Sequence, residues 1–162
     1  LAGAEIELVP TISREVRLKT VLEPVKKKFK FIIIDCPPSL GLLTLNALTA
    51  ADYILIPIQC EYYALEGLGQ LVNTINLVKK HLNSALKIGG VLLTMYDTRT
   101  NLSSQVAEEV RNYFGNLVFD SVIPRNVRLS EAPSYGESII DYDPRSKGAE
   151  VYKTLAEEVL LR

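Results

Sequence analysis

The chain has 162 residues, enough for one compact domain, and 48% of them are apolar, which excludes a disordered chain. Lysine plus arginine total 18 against 19 aspartates and glutamates, so the formal charge of −1 gives no global electrostatic case for nucleic acid. Two cysteines, Cys36 and Cys60, suit neither a disulfide framework nor a zinc site, and a reducing cytoplasm is the expected setting.

Apolar runs fall far short of the ~20 residues of a membrane span. The chain opens with Leu1-Ala2-Gly3-Ala4, with no signal-peptide pattern and no initiator methionine, an opening expected of a processed or excised piece. Residues 3 to 9 are expected to form a short helix broken near Pro10. Ser13 is expected to cap a helix running to about Lys28, with Val16, Val21, Leu22 and Val25 on its buried side. Lys26, Lys27 and Lys28 then fall in its last turn, where the helix dipole favours positive charge. Phe31-Ile32-Ile33-Ile34 is a continuous apolar run and predicts a strand buried on both faces. A helix over Leu42–Ala50 follows.

Further strands are predicted at Tyr53 to Ile58, Gly90 to Thr94 and Val118 to Ile123. Leu68, Leu71, Ile75, Val78 and Leu82 recur at helical spacing, as do Leu102, Val106, Val110 and Phe114. Asp143-Pro144 reads as an N-cap with proline at the first helical position, and Val151 or Tyr152, Leu155 and Val159 carry the apolar stripe of a last helix. The alternation predicts an α/β fold, a mostly parallel sheet with helices on both faces, in a single domain over 1–162.

Ligands bind such sheets at the carboxyl ends of the strands. The first strand end is Asp35-Cys36-Pro37-Pro38-Ser39-Leu40-Gly41. A carboxylate at the tip of an apolar strand suits the water shell of Mg²⁺, which takes oxygen ligands and keeps several waters. Pro37 and Pro38 stop the strand, and Gly41 permits a close backbone approach. The plainer alternative is an aspartate that caps the following helix. His81, the single histidine, lies near a helix end with no second ligand, which argues for a solvated ring and against a metal site.

The segment Asp35 to Gly41 resembles the Walker B and switch II region of the ParA/Soj/MinD ATPases. The resemblance continues in order through Pro57 to Gly67 (Pro-Ile-Gln-Cys-Glu-Tyr-Tyr-Ala-Leu-Glu-Gly), Leu93 to Arg99, Ile123 to Ser134, and Tyr142-Asp143-Pro144 with Gly148 to Tyr152. It implies the C-terminal part of a P-loop NTPase fold, from the Walker B strand to the last helix. It implies that Asp35 organises Mg²⁺ through water and that Pro37, Pro38, Ser39 and Gly41 form switch II. By the same resemblance Met95, Tyr96, Asp97, Pro124, Arg125 and Asn126 line the adenine and ribose of ATP. Glu61, Tyr62 and Glu66 would face a dimer partner, and Arg125 and Arg128 are candidate DNA contacts. Arg145 and Lys147 add positive charge later in the chain, but no dense basic patch forms. Met95 and Tyr96 also read as core-closing side chains.

The family's activity would be ATP-dependent dimerisation, non-specific DNA binding by phosphate neutralisation, and hydrolysis stimulated by a centromere-binding ParB-type partner, in the cytoplasm on the nucleoid. No Gly-x-x-x-x-Gly-Lys-[Ser/Thr] occurs in these residues. Phosphoryl transfer is mostly positioning and charge stabilisation, so the chain alone is expected neither to bind ATP well nor to hydrolyse it. In the family the P-loop strand lies between the Asp35 strand and the one at 53 to 58, so the residues are expected to close that gap or to dimerise through exposed strand edges. Two related readings are a biosynthetic ATP-dependent enzyme like cobyrinic acid a,c-diamide synthase, and a MinD-like membrane-associated regulator. The second calls for a basic amphipathic tail, whereas Glu157-Glu158 precedes Leu160-Leu161-Arg162 here.

Overall fold

The computed structural model describes residues 2–37, 39–62 and 64–162. They divide into two compact units, Leu1–Ile54 with Gly67–Lys87 and Leu55–Glu66 with Ile88–Arg162.

The first unit is helical. It holds α1 (Ala2–Leu8), a 3-10 turn at Arg14–Val16, α2 (Arg17–Lys26), α3 (Leu42–Ala50) and most of α4 (Ala64–His81). The α3 helix is its centre, with Thr44, Asn46, Ala47, Leu48 and Thr49 all buried. One polar side chain organises the packing of α2 on α3. Asn46 Nδ2 donates to the carbonyls of Arg14 (2.8 Å) and Leu42 (2.9 Å), and its Oδ1 accepts the Leu18 N–H at 3.1 Å. Both amide N–H donors and the carbonyl oxygen are engaged, as burial of an asparagine requires. Asn83 closes the other end of α3, donating to Leu48 O (3.1 Å) and Ala51 O (2.8 Å).

Three expectations change here. Ser13 does not cap α2: its backbone is left-handed, with φ 55°, and its hydroxyl makes no cap bond. Val21 is exposed, because the face that meets α3 runs through the half-buried Leu18, Leu22 and Val25 at i, i+4 and i+7. Residues 31–34 form no strand. They take no regular secondary structure, with Phe31 56% and Ile33 92% exposed, and among the described residues no neighbour supplies the ladder a strand needs.

The second unit holds the sheet, to which β1 (Tyr53–Gln59), β2 (Lys87–Tyr96) and β3 (Val118–Pro124) contribute in the order β1-β2-β3. β2 and β3 run parallel. Helix α5 (Asn101–Phe114) joins them, buries Val106, Ala107, Val110 and Phe114, and ends at Gly115, whose φ of 55° favours glycine. After β3 come α6 (Val127–Glu131), α7 (Ile139–Tyr142) and α8 (Lys147–Leu161), and α8 packs on β3. Leu92, Phe119, Ile123 and Leu155 form a core cluster with Leu129, Val151 and Val159 against it. The cap of α8 is Ser146, whose hydroxyl accepts the Ala149 N–H at 3.1 Å, and not Asp143. Asp143 lies one turn earlier and its carbonyl accepts the Ser146 N–H at 3.0 Å. Val151, not Tyr152, faces the core. The sheet is the parallel α/β arrangement expected from the alternating pattern.

Candidate functional site

In the second unit the ends of β1, β2 and β3 are tied together by main-chain bonds. The Cys60 N–H donates to Thr94 O at 2.8 Å, and the Arg125 N–H donates to Tyr96 O at 2.9 Å. Ser103 Oγ, from the first turn of α5, donates to Cys60 O at 3.1 Å. Two segments distant in sequence, 95–97 and 124–126, thus lie side by side at the carboxyl end of the sheet. Burial pushes the Cys60 thiol up to about 11, so it is a neutral packing group and not a nucleophile at physiological pH.

Met95 adopts φ 54° at the end of β2, a left-handed conformation that costs a bulky residue about 1–2 kcal/mol. The next two side chains are pinned. Tyr96 Oη shares a hydrogen bond with Ser104 Oγ at 3.1 Å. Asp97 receives Arg99 Nε at 2.9 Å, its NH2 at 2.7 Å and its backbone N–H at 3.0 Å. That guanidinium, with the amide behind it, holds the Asp97 carboxyl well below the usual carboxylate range. Asn126 caps α6, its Oδ1 accepting the Arg128 N–H at 2.8 Å. Beside these loops a pocket of about 470 Å³ is lined by Tyr96, Thr98, Arg111, Val122, Pro124 and Lys147, among others.

The charged candidates are engaged with partners. Arg125 pairs with Glu61, which joins a candidate nucleotide or DNA contact to a candidate dimer-face residue. Arg128 NH1 meets Glu131 at 2.9 Å and its Nε lies 3.7 Å from Asp143. Arg125 precedes the Asn126 cap, so the two arginines do not share a helix. Tyr62 is exposed. Pro38, Tyr63 and the side chain of Glu66 lie outside the described residues.

Asp35, Pro37, Ser39 and Gly41 belong to the first unit. Asp35 and Pro37 are exposed on the irregular segment before α3, and Ser39 O accepts the Thr44 hydroxyl at 2.5 Å. Gly41 caps α3, and the Glu5 carboxylate accepts the Leu42 N–H at 3.0 Å. A Cβ at position 41 would stand 2.2 Å from Glu5 Oε1, so a larger residue here would displace that flexible carboxylate from the Leu42 N–H. The donor set fits Mg²⁺ only in part. One exposed carboxylate suits a water-mediated contact, and among the described residues no group of three metal-ligating side chains forms. Arg111 of the pocket escaped the sequence reading, since it carries no periodic or motif signal.

An open parallel α/β sheet with its ordered loops at the strand ends is the architecture of nucleotide hydrolases of the P-loop type. The AAA domain family, AAA_31, matches residues 1–88, and the chain belongs to it. It is 72% identical over 159 residues to the sporulation initiation inhibitor protein Soj of Bacillus subtilis, covering 98% of this chain and 63% of that protein. It is 60% identical over 162 residues to the chromosome partitioning protein ParA of Myxococcus xanthus, covering 100% of this chain and 57% of that one. Among solved structures, cobyrinic acid a,c-diamide synthase from Mycobacterium smegmatis with bound ATP analog and magnesium superposes with a TM-score of 0.80 at 40% identity, over 98% of this chain and 58% of that one. The chain is thus a homologue of the Soj/ParA chromosome partitioning ATPases, within the superfamily that also contains MinD, and it spans 63% and 57% of these two relatives. Among the described residues no helix is long and apolar enough to cross a membrane.

Proposed function

We propose that these residues supply the base-binding edge and the Mg²⁺-side carboxylate of a ParA/Soj-type partitioning ATPase, and that the phosphate-binding amides and lysines come from outside the 162 residues. The observation that carries the reading is the Arg125 N–H to Tyr96 O bond, which sets the 95–97 and 124–126 loops together where a base would lie. Backbone carbonyls and amides there, with Asn126, offer the complementary donors and acceptors that a purine edge needs. Asp35 holds a water of the Mg²⁺ shell, and Ser39 to Gly41 respond to the terminal phosphate. Mg²⁺ held there would supply charge neutralisation to the phosphates.

The complete protein dimerises when ATP is bound, with Glu61, Tyr62 and Glu66 toward the partner. It binds DNA without sequence preference through surface arginines such as Arg125 and Arg128, and a ParB-type partner stimulates hydrolysis. The 162 residues alone bind ATP poorly, since they contain no Walker-type glycine loop. Calorimetry with Mg²⁺–ATP on the full-length polypeptide and on this chain tests the reading. Binding by the former only is expected; micromolar binding by this chain would overturn it.

A biosynthetic role is a second reading, supported by the 40% identity to cobyrinic acid a,c-diamide synthase. The higher identities to Soj and ParA favour partitioning. ATP turnover by the full-length polypeptide that rises with DNA supports partitioning, and turnover that rises only with glutamine and a corrinoid acid supports the other.

A further inference from the structure

The β2–β3 ladder is irregular at two places. Val91 pairs with Val118 and Leu93 with Val122, so β3 uses four residues where β2 uses two, and the register is readjusted before Tyr96 meets Pro124. From the first pair to the last, β3 contains one residue more than β2. A one-residue offset turns every later side chain of a strand to the opposite face. Without the extra residue Tyr96 would oppose Ile123, which is 3% exposed and belongs to the core.

The irregular stretch 119–121 is held from outside the sheet by the last turn of α8. Glu158 Oε1 accepts the Asp120 N–H at 2.7 Å and Oε2 accepts the Ser121 N–H at 3.1 Å. Arg162 donates to the carbonyls of Leu117 (2.9 Å), Val118 (3.1 Å) and Gly89 (3.5 Å), and its NH2 lies 3.3 Å from Glu158 Oε1. Its guanidinium also covers the Phe119 ring at 4.1 Å. That ring lies on Gly90, where any Cβ would come within 2.2 Å of it. The two side chains thus satisfy main-chain groups just before and within the irregular stretch, so the offset leaves these donors and acceptors paired. Burial opposes ionisation of Glu158, but the two amides and Arg162 outweigh it and lower its carboxyl below the ordinary value.

We propose that Glu158 and Arg162 are positioning residues for the base-binding edge: by holding the 119–121 bulge they fix the first of the two register shifts that bring Pro124 to Asn126 against Met95 to Asp97. The role in nucleotide recognition rests on the function proposed above; the register itself does not.

Amide hydrogen exchange on the chain, read residue by residue by NMR, tests it. In Glu158→Ala and Arg162→Ala the Arg125 amide, which is bonded to Tyr96 O, is expected to exchange about tenfold faster or more, together with Asp120 and Ser121. The amides of Val110 and Leu155 report on global unfolding and are expected to keep their protection. Glu158→Gln, which keeps the shape and one acceptor, is the milder variant and is expected to move the Arg125 amide in the same direction by less. If Asp120 and Ser121 accelerate while Arg125 stays protected in all three, the clamp is a local plug and the proposal is wrong. A second readout is the ratio of ATP to GTP affinity in the full-length polypeptide, expected to fall by about tenfold in Glu158→Ala. Failure of the unmodified protein to bind ATP would sink the proposed function and leave the exchange result to decide the register.

Discussion

The main-chain N–H of Arg125 donates to the carbonyl oxygen of Tyr96 at 2.9 Å, although the two residues are separated by the whole of α5 and β3. This bond makes one surface of two loops. It also places the Arg125–Glu61 ion pair across the same strand ends. A ligand gripping either loop would therefore be felt by the other.

Asn126 caps α6 and is also a candidate contact to the base. Asn126→Ala is expected to cost about 1 kcal/mol, the usual worth of a lost N-cap. Asn126→Asp keeps an acceptor for the Arg128 amide and is expected to leave urea stability nearly unchanged. If the amide contacts the base, both variants weaken ATP binding in the full-length polypeptide. Equal stability losses for alanine and aspartate in urea titrations would show that the cap bond is not the source.

Asn46 is 3% exposed and satisfies the carbonyls of Arg14 and Leu42 and the amide of Leu18. Asn46→Ala strands these buried groups and is expected to cost about 3 kcal/mol, measured by chemical denaturation. Asn46→Leu is expected to cost at least as much, because it fills space without pairing anything. A loss below about 0.5 kcal/mol would mean that water replaces the side chain.

Glu158 sets a pH dependence with a definite sign. Its folded carboxyl lies below the unfolded value of about 4.3, so the folded protein releases its proton more readily than the unfolded chain. The stabilisation is complete above that value and disappears as pH falls through the folded value. Glu158→Gln removes this contribution, so stability of the variant is expected to fall less steeply on acidification. At pH 7 Glu158→Ala is expected to cost about 2 kcal/mol, the scale of charge-assisted bonds to two amides. Parallel acid limbs for wild type and Glu158→Gln would contradict this.

Ile33 is 92% exposed on an irregular segment that no strand pairs among the described residues. Bare apolar backbone of this kind recruits other chains. The 162-residue chain is expected to self-associate in sedimentation velocity, and Ile33→Lys is expected to shift it toward monomer. The substitution touches no core, so stability should change by no more than about 0.5 kcal/mol. A wild-type chain that is monomeric with an ordinary cooperative melt would count against association through this segment.

Much of this protein is written locally. The periods of α4, α5 and α8, and the apolar runs of β1, β2 and β3, are visible because each element repeats its own burial pattern. So are the residue types at the ends of β2 and β3, where Tyr96-Asp97 and Pro124 to Asn126 form contiguous segments. The fate of Phe31 to Ile34 was not legible, because a strand is stable only when another segment completes its ladder, and the run itself says nothing of its neighbour. Ser13 and Asp143 were equally plausible caps by residue type; backbone geometry chose Ser146 for α8 and left the Ser13 hydroxyl without a cap bond. The Glu158–Arg162 pair at i and i+4 could be read as an ordinary surface ion pair. Only the packing of α8 on β3 turned it toward the main chain of residues 117–121, since which backbone groups remain unpaired depends on strand register, and register is a property of two segments rather than one.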